Sequence, residues 1–452
     1  MSNATPPSGA TLPSGATPPS GATPPSGATP PSDPTQATLD ALNGTEVRLR
    51  RVCKARDATD RVGPRRFLHA GPPIDLADIT GPMRGAIIAG LLLEKEAATV
   101  AEAEAIIDAG EVTISPCHDA NAVGAMAGVV TPSTPVVVAE ATGGITTFSP
   151  LNEGIGGAMR YGSYDEGTLS RLRWLGDVLA PALDEAVRRS DPLDLIALVA
   201  EGLRRGDDCH NRLVATSAAL LAALTPGLLR APLDRTDAAD VVAFISGNGH
   251  FALPFAISAA KAVTVAAGGI PGSPIVTAMA SNGREFGIRV SGLGDRWFTV
   301  PAPIGDPVLL DGATIDDVNP TMGDSMIAET AGFGAFAMTA APAIMSFVGG
   351  DMARAMEITR SMRTVCAGTS RRFLIPGEDF RGTPLGIDVH RVRATGVEPV
   401  INNGLAHREP GRGRVGAGIT PIPVEPFAAA SRALEEAGFA PSGVAGEPET
   451  RA

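Results

Sequence analysis

The stretch Glu285-Phe286-Gly287-Ile288-Arg289-Val290-Ser291-Gly292-Leu293-Gly294-Asp295-Arg296-Trp297-Phe298-Thr299-Val300 reads as two strands around a glycine-rich connection. Successive strand residues point to opposite sides. Phe286, Ile288 and Val290 therefore share one face, and Arg289 and Ser291 the other. Asn282-Gly283, just before, is a strong hairpin-type turn. Strands are predicted at 285–291 and 296–300. Upstream, 240–244 and 252–267 read as helices, the second apolar enough to be buried. Downstream, 325–337 and 352–363 also read as helices. A strand pair among helices makes residues 236–425 a mixed C-terminal α/β domain.

Further upstream the character changes. The segments 169–179, 183–189, 193–203 and 209–224 all carry helical spacing and few strand signals, so residues 165–235 are predicted to form a helical subdomain. Residues 39–164 are mixed again: helices at 83–93 and 100–109, strands at 112–115 and 135–140. Residues 1–38 are a tail in which Ser-Gly-Ala-Thr-Pro-Pro recurs every six residues. It has little to bury and is expected to be disordered. Residues 426–452 form a C-terminal segment whose last dozen residues look loose. The fold class is a mixed α/β (α+β), multidomain protein with an inserted all-helical subdomain.

Composition narrows the functional classes. A hydrophobic fraction of 44% over 452 residues is ample for more than one core. The apolar runs 86–93 and 213–224 are too short or too interrupted to span a bilayer, and 251–265 carries Pro254 and Lys261. No signal-peptide pattern opens the chain. The net charge of −12 argues against nonspecific nucleic-acid binding. Cys53, Cys117, Cys209 and Cys366 lie far apart with no CxxC pair, which fits reduced thiols in a cytoplasm. The expectation is a cytoplasmic protein with no nucleic-acid and no membrane partner.

Seven polar clusters sit on glycine-rich turns. His69-Ala-Gly-Pro-Pro73 leads into Thr80-Gly-Pro-Met-Arg84-Gly85, where Thr80 could cap a helix and free backbone N–H groups for an anion, or simply start that helix. Ser115-Pro-Cys117-His118-Asp-Ala-Asn121-Ala-Val-Gly124 offers Cys117 as a nucleophile and His118 as a base. Neighbours on a strand diverge, however, and no second Cys/His pair supports zinc. No metal and no cofactor are therefore expected. Leu151-Asn152-Glu153-Gly-Ile-Gly-Gly157 with Arg160 could bind an amide or urea group, or be a plain turn. Asp207 and His210 are spaced to touch on a helix start, though His210 could equally be a satisfied core residue. Arg289 and Arg296 flank the strand connection after Asn282, and a covered arginine suits a carboxylate or phosphate. Asn319-Pro-Thr-Met-Gly-Asp324-Ser325 could be a site or a capped helix. Asn402-Asn-Gly-Leu-Ala-His407-Arg-Glu409, with the glycines and arginines that follow, is either an anion cradle or a mobile loop. No Walker A, GxSxG or HExxH motif is present.

Together the strings His-Ala-Gly-Pro-Pro, Thr-Gly-Pro-Met-Arg-Gly, Pro-Cys-His, Asn-Ala-Val-Gly, Leu-Asn-Glu-Gly-Ile-Gly, Arg173-Trp174, Asp177-Val-Leu179, Ile275-Val-Thr-Ala-Met279, Phe-Gly-Ile-Arg-Val-Ser-Gly-Leu-Gly, Met-Gly-Asp-Ser and Gly386-Ile-Asp388 stand in an order that resembles the AllG-type oxamate carbamoyltransferase subunit family of the allantoin pathway. The resemblance covers about residues 69–418. Asn403 stands where that pattern has threonine, Arg408 where it has lysine, and the repeat tail is foreign to it.

The resemblance implies conversion of oxalurate and phosphate to oxamate and carbamoyl phosphate. It also implies companion subunits, and a homo-oligomer is expected. Alternatives are an amidohydrolase or carbamoyl transferase acting on a related ureido acid, and a non-catalytic binding subunit. For this chemistry Arg160, Arg289 and Arg296 are candidate clamps on the anionic ends. Asn121 and Asn152 could stabilise the carbonyl oxygen, with Glu153 beside them. His118 or His407 could shuttle the proton. His69, Arg84, Cys117, Asn282, Asp324 and Asn402 complete the candidate substrate contacts.

Overall fold

The structure, a computed structural model, describes residues 31–154 and 156–439. Most of the repeat tail, Ile155 and the last thirteen residues lie outside the described part.

At the centre is the helix Leu253–Ala266, buried on every side from Pro254 to Thr264. Its composition explains this: a helix apolar all round has no face to give to water. It packs on an antiparallel sheet of Val47–Lys54, Pro135–Ala141 and Ile145–Pro150, in that order. The run Val136-Val137-Val138 is β-branched and buried, as its sequence predicts for a central strand.

The second sheet contains the stretch that opens the sequence reading. Glu285–Val290 pairs antiparallel with Val276–Asn282 and with Phe298–Pro301, and the short Met322–Gly323 adds to the other edge. Phe286, Ile288 and Val290 are fully buried. Two more antiparallel arrangements follow: a hairpin of Cys366–Ile375 with Arg381–Ile387, and a sheet of Val400–Ala406, Arg414–Pro421 and Asp306–Leu309. The single parallel strand pair among the described residues is Arg66–His69 with Thr113–Pro116.

Helices cover most of residues 166–246: Glu166–Trp174, Ala180–Arg188, Leu195–Arg204, Val214–Arg230 and Arg235–Ser246. Their buried leucines join one hydrophobic core with the central helix and with Phe333, Phe373 and Leu385 from late in the chain. The architecture is mixed α+β. Among the described residues no helix is long and apolar enough to cross a membrane.

Three local readings change. The segment read as a helix at 325–337 is a single turn, Ile327–Thr330, followed by a tighter coil, Gly334–Ala340. Gly332 and Gly334 sit at φ +91° and +66°, a backbone region that ends an α-helix. The 209–224 helix starts only at Val214, since Cys209 has φ +61°. Residues 402–418 are not a mobile loop but part of a paired hairpin, whose glycines let Asp306–Leu309 approach closely.

All four cysteines are free and buried. Burial pushes the Cys53 thiol up to about 11 and also raises the Cys117, Cys209 and Cys366 thiols.

Helix Gly81–Leu93 packs against the turn that carries Arg160. A Cβ on Gly85 would lie 2.2 Å from the Gly162 carbonyl oxygen. Gly85→Ala would gain about 1 kcal/mol of helix propensity. Overpacking against backbone costs about 1–3 kcal/mol and should outweigh it. A lower melting temperature than wild type is expected; an unchanged or higher one would show that the turn yields.

Candidate functional site

A cleft of about 650 Å³ opens between the Asn152–Tyr161 turn, the loops at 211–214 and 248–250, and the Ala343–Phe347 segment with Arg414. It narrows into a recess of about 50 Å³ that reaches Ser325, His210 and Asn403. Asn152, Arg160, Tyr161, Asn211, His250 and Arg414 line both parts.

Two guanidinium groups face this space. Arg414 lies over the Phe347 ring at 4.5 Å and has no carboxylate partner among the described residues. Arg160 lies over Tyr161, donates from one terminal nitrogen to the Gly154 carbonyl, and has its other terminal nitrogen buried without a hydrogen bond. Glu153 is only a distant partner, at 4.0 Å. Its two oxygens accept from the Met159 and Arg160 N–H groups at 2.6 and 3.0 Å. Glu153 thus shapes the turn that presents Arg160.

Amide groups surround the cations. Asn152 Oδ1 accepts from Gly154 N–H and from Asn248 Nδ2, so its own Nδ2 is left to donate into the recess. Asn211 Nδ2 donates to Asn402 Oδ1, and the fully buried Asn402 donates to Asp208. Asn402 therefore holds the cleft wall from behind. His250 is pushed down to about 4, first by burial and then by Arg160, Arg414 and His210, so it is neutral near pH 7.

Sequence reasoning missed a constellation at the recess floor. His210 Nδ1 and Glu329 Oε1 are 2.9 Å apart, and His210 Nε2 and Ser325 Oγ are also 2.9 Å apart. A carboxylate only accepts, so Nδ1 carries the proton and Nε2 accepts from the serine hydroxyl. Burial alone would lower the His210 pKa, but the Glu329 carboxylate, aided by Asp208, outweighs it and the pKa is raised. The expected Asp207–His210 contact does not form: Asp207 instead accepts from the N–H and hydroxyl of Thr216. The one signal in the sequence was Ser325 and Glu329 four apart. Its partner His210 lies 115 residues from Ser325.

Other expected residues gather in a separate pocket of about 240 Å³ lined by His118, Asn121, Lys261 and Arg289. Lys261 Nζ donates to His118 Nδ1 at 3.1 Å, which leaves the His118 Nε2 proton facing Asp324, 3.6 Å away. Burial, then Lys261 and Arg289, lower the His118 pKa. Arg289 stacks on Trp297 at 4.4 Å and is paired with Asp119 and Asp295. Its charge is largely answered within the protein.

Asp324 is fully buried, accepting from Gly71 N–H at 2.7 Å and Gly124 N–H at 3.0 Å. Burial raises its pKa to about 7, against the pull of those two donors and of Lys261. Cys117 is buried and bonded to the Gly128 carbonyl, so it is poorly suited to act as a nucleophile.

The remaining residues stand elsewhere. Arg84 pairs with Asp108 at the surface, and Arg296 is exposed over Phe298. His407 lies 3.4 Å from Asp317 and accepts from Glu409 N–H. Asn282 bonds the Pro72 carbonyl and its own turn. His69 is buried with Nε2 unpaired. Thr80 occupies the helix-cap position, but its hydroxyl makes no bond. Among the described residues no group of three or more His, Cys, Asp or Glu could hold a metal ion.

The fold is that of a mixed α+β protein with a cationic, amide-lined cleft. Comparison with known proteins gives the lineage. Residues 112–325 match the family model described as oxamate carbamoyltransferase subunit AllG. The chain is 44% identical to oxamate carbamoyltransferase subunit AllG of Escherichia coli (strain K12), over 82% of this chain and 89% of that one. It is 39% identical to the uncharacterized protein YahG of the same organism, over 80% and 77% of the two chains. A solved structure of a conserved protein of unknown function from Enterococcus faecalis V583 superposes with a TM-score of 0.87 at 39% identity, covering 89% of this chain and 97% of that one. The chain belongs to the family of oxamate carbamoyltransferase subunit AllG.

The buried histidines set the response to acid. His69 and His250 have pKa values of about 4, against about 6.5 in an unfolded chain. The unfolded state therefore binds more protons between those values, and stability is lost as pH falls from about 6.5 towards 4. Asp324, with its pKa raised from 3.8 to about 7, opposes this in part, because the folded state holds its proton over the same range. The melting temperature should drop over that range, and His69→Gln should flatten the slope. An unchanged slope in that variant would reject the assignment.

Proposed function

We propose that this chain is the substrate-binding subunit of an oxamate carbamoyltransferase, acting in the cytoplasm with companion subunits on oxalurate and phosphate to give oxamate and carbamoyl phosphate. The observation that carries the reading is the pair Arg160 and Arg414, two guanidiniums free of close carboxylates over an amide-lined recess. The ureido acid has an anionic carboxylate at one end and a urea-like group at the other. A guanidinium fork suits the first, and Asn152 suits the second by donating to its carbonyl oxygen. Phosphate needs a second cation in the same space, which the pair supplies. The pocket at Lys261 is a weaker candidate, because Asp119 and Asp295 already answer the charge of Arg289.

The test is turnover of oxalurate by the chain co-purified with its co-expressed companions, with and without phosphate. Phosphate-dependent carbamoyl phosphate formation supports the reading. Phosphate-independent release of oxamate would favour a hydrolase instead. Arg414→Gln, which removes one charge-assisted contact worth about 1.5–3 kcal/mol, should lower kcat/KM by roughly 10–100-fold with the melting temperature unchanged. Wild-type kinetics in this variant would place the substrate elsewhere.

A further inference from the structure

We propose that Ser325 carries the carbamoyl group covalently, with His210 as its base and Glu329 as the residue that positions His210. This rests on the carbamoyl-transfer reading above.

The geometry is that of an activated nucleophile: serine to imidazole to carboxylate, each contact 2.9 Å. Ser325 and His210 line the deep end of the same cleft that Arg160 and Arg414 face, so the hydroxyl is where a bound ureido group would end. Among the described residues His210 is the only hydrogen-bond partner of the Ser325 hydroxyl.

The support behind the pair is rigid. Glu329 Oε1 also accepts from Ala335 N–H at 2.9 Å. A Cβ on Gly334 would lie 2.3 Å from that same oxygen, so the close approach of the Gly334 backbone requires glycine there. Behind His210, Asp208 accepts from the His210, Asn211 and Arg212 N–H groups. A histidine that served only to fill a core would not need a serine at the cavity wall and a carboxylate fixed by backbone on opposite ring nitrogens.

The steps balance without oxidant or reductant. Ser325 Oγ attacks the terminal ureido carbon while its proton passes to His210 Nε2. The bond from that carbon to the inner nitrogen breaks, and the nitrogen takes the proton from His210, releasing oxamate and leaving a carbamoyl ester on Ser325. A phosphate oxygen then attacks the ester carbon, the phosphate proton returns through His210 to Ser325 Oγ, and carbamoyl phosphate departs. Asn152 Nδ2, on the recess wall, is available to hold the carbonyl oxygen as it gains charge.

The test uses the complex with its companion subunits. Without phosphate, labelled oxamate should exchange into oxalurate; without oxamate, labelled phosphate should exchange into carbamoyl phosphate. Acid-quenched protein should carry one carbamoyl group on the peptide containing Ser325. Ser325→Ala should abolish both exchanges and lower turnover by roughly 10³-fold or more. In Glu329→Gln the ascending limb of the kcat/KM pH profile should move to lower pH, because His210 loses the carboxylate that raises its pKa. A merely structural role would leave that limb in place.

Normal phosphate-dependent turnover by wild type with neither exchange would overturn the covalent route in favour of direct displacement. So would Ser325→Ala with wild-type turnover. If wild type turns over no oxalurate but still exchanges phosphate with carbamoyl phosphate, the ureido substrate is wrong and the carbamoyl-serine stands. Loss of all three activities overturns both.

Discussion

The Asp324 carboxylate ties the molecule together. Its two oxygens accept N–H groups from Gly71 and Gly124, turns that belong to separate strands of the parallel pair's neighbourhood, while its own N–H donates to the Gly124 carbonyl. A carboxylate without contact with water must satisfy its lone pairs inside the protein, and leaving one unmet costs several kcal/mol. Its position therefore fixes both turns at once. Asp324 stands between the two cavities: His118, which lines the Lys261 pocket, faces its oxygen, and the next residue, Ser325, lines the recess.

Around that anchor the protein separates two uses of buried charge. In the Lys261 pocket, charges answer each other: Lys261 to His118, and Arg289 to Asp119 and Asp295, with Trp297 beneath. In the cleft, Arg160 and Arg414 lie over aromatic faces, Arg160 also bonding the Gly154 carbonyl, and these contacts leave their charge available. Partly buried cations with no carboxylate in close contact raise the local potential for an anion. Burial and the same field keep His250 neutral, whereas His210, beside it, has Glu329 hydrogen-bonded to its ring and its pKa is raised.

Periodicity made the fold class legible wherever segments were long and one-faced, as in Leu195–Arg204 or Glu285–Val290. It failed at Val400–Ala406 and Arg414–Pro421, where glycines and polar residues gave loop composition to paired strands. Those glycines accommodate a neighbouring strand's backbone, a requirement invisible without the neighbour. For the candidate site, Asn152 and Arg160, which line the cleft, stood out because they crowd one glycine-rich turn. Ser325, His210 and Glu329 were not, since the fold and not the spacing joins 210 to 325. His118 and Arg289 were picked out as reactive types in tight motifs, but the chain had no way to reveal that Lys261 and Asp119 would answer them.

The four buried thiols have a practical side. Thiolates react and thiols do not, and here burial both raises the thiol pKa values and blocks access. An alkylating reagent would therefore reach them only in molecules that have opened. Cys53 sits in the first sheet, Cys117 beside the Asp324 anchor, Cys209 in the helical layer and Cys366 at the start of the late hairpin. The chain thus carries four native timers, one in each region, whose separate labelling rates would tell whether those regions open together or one by one.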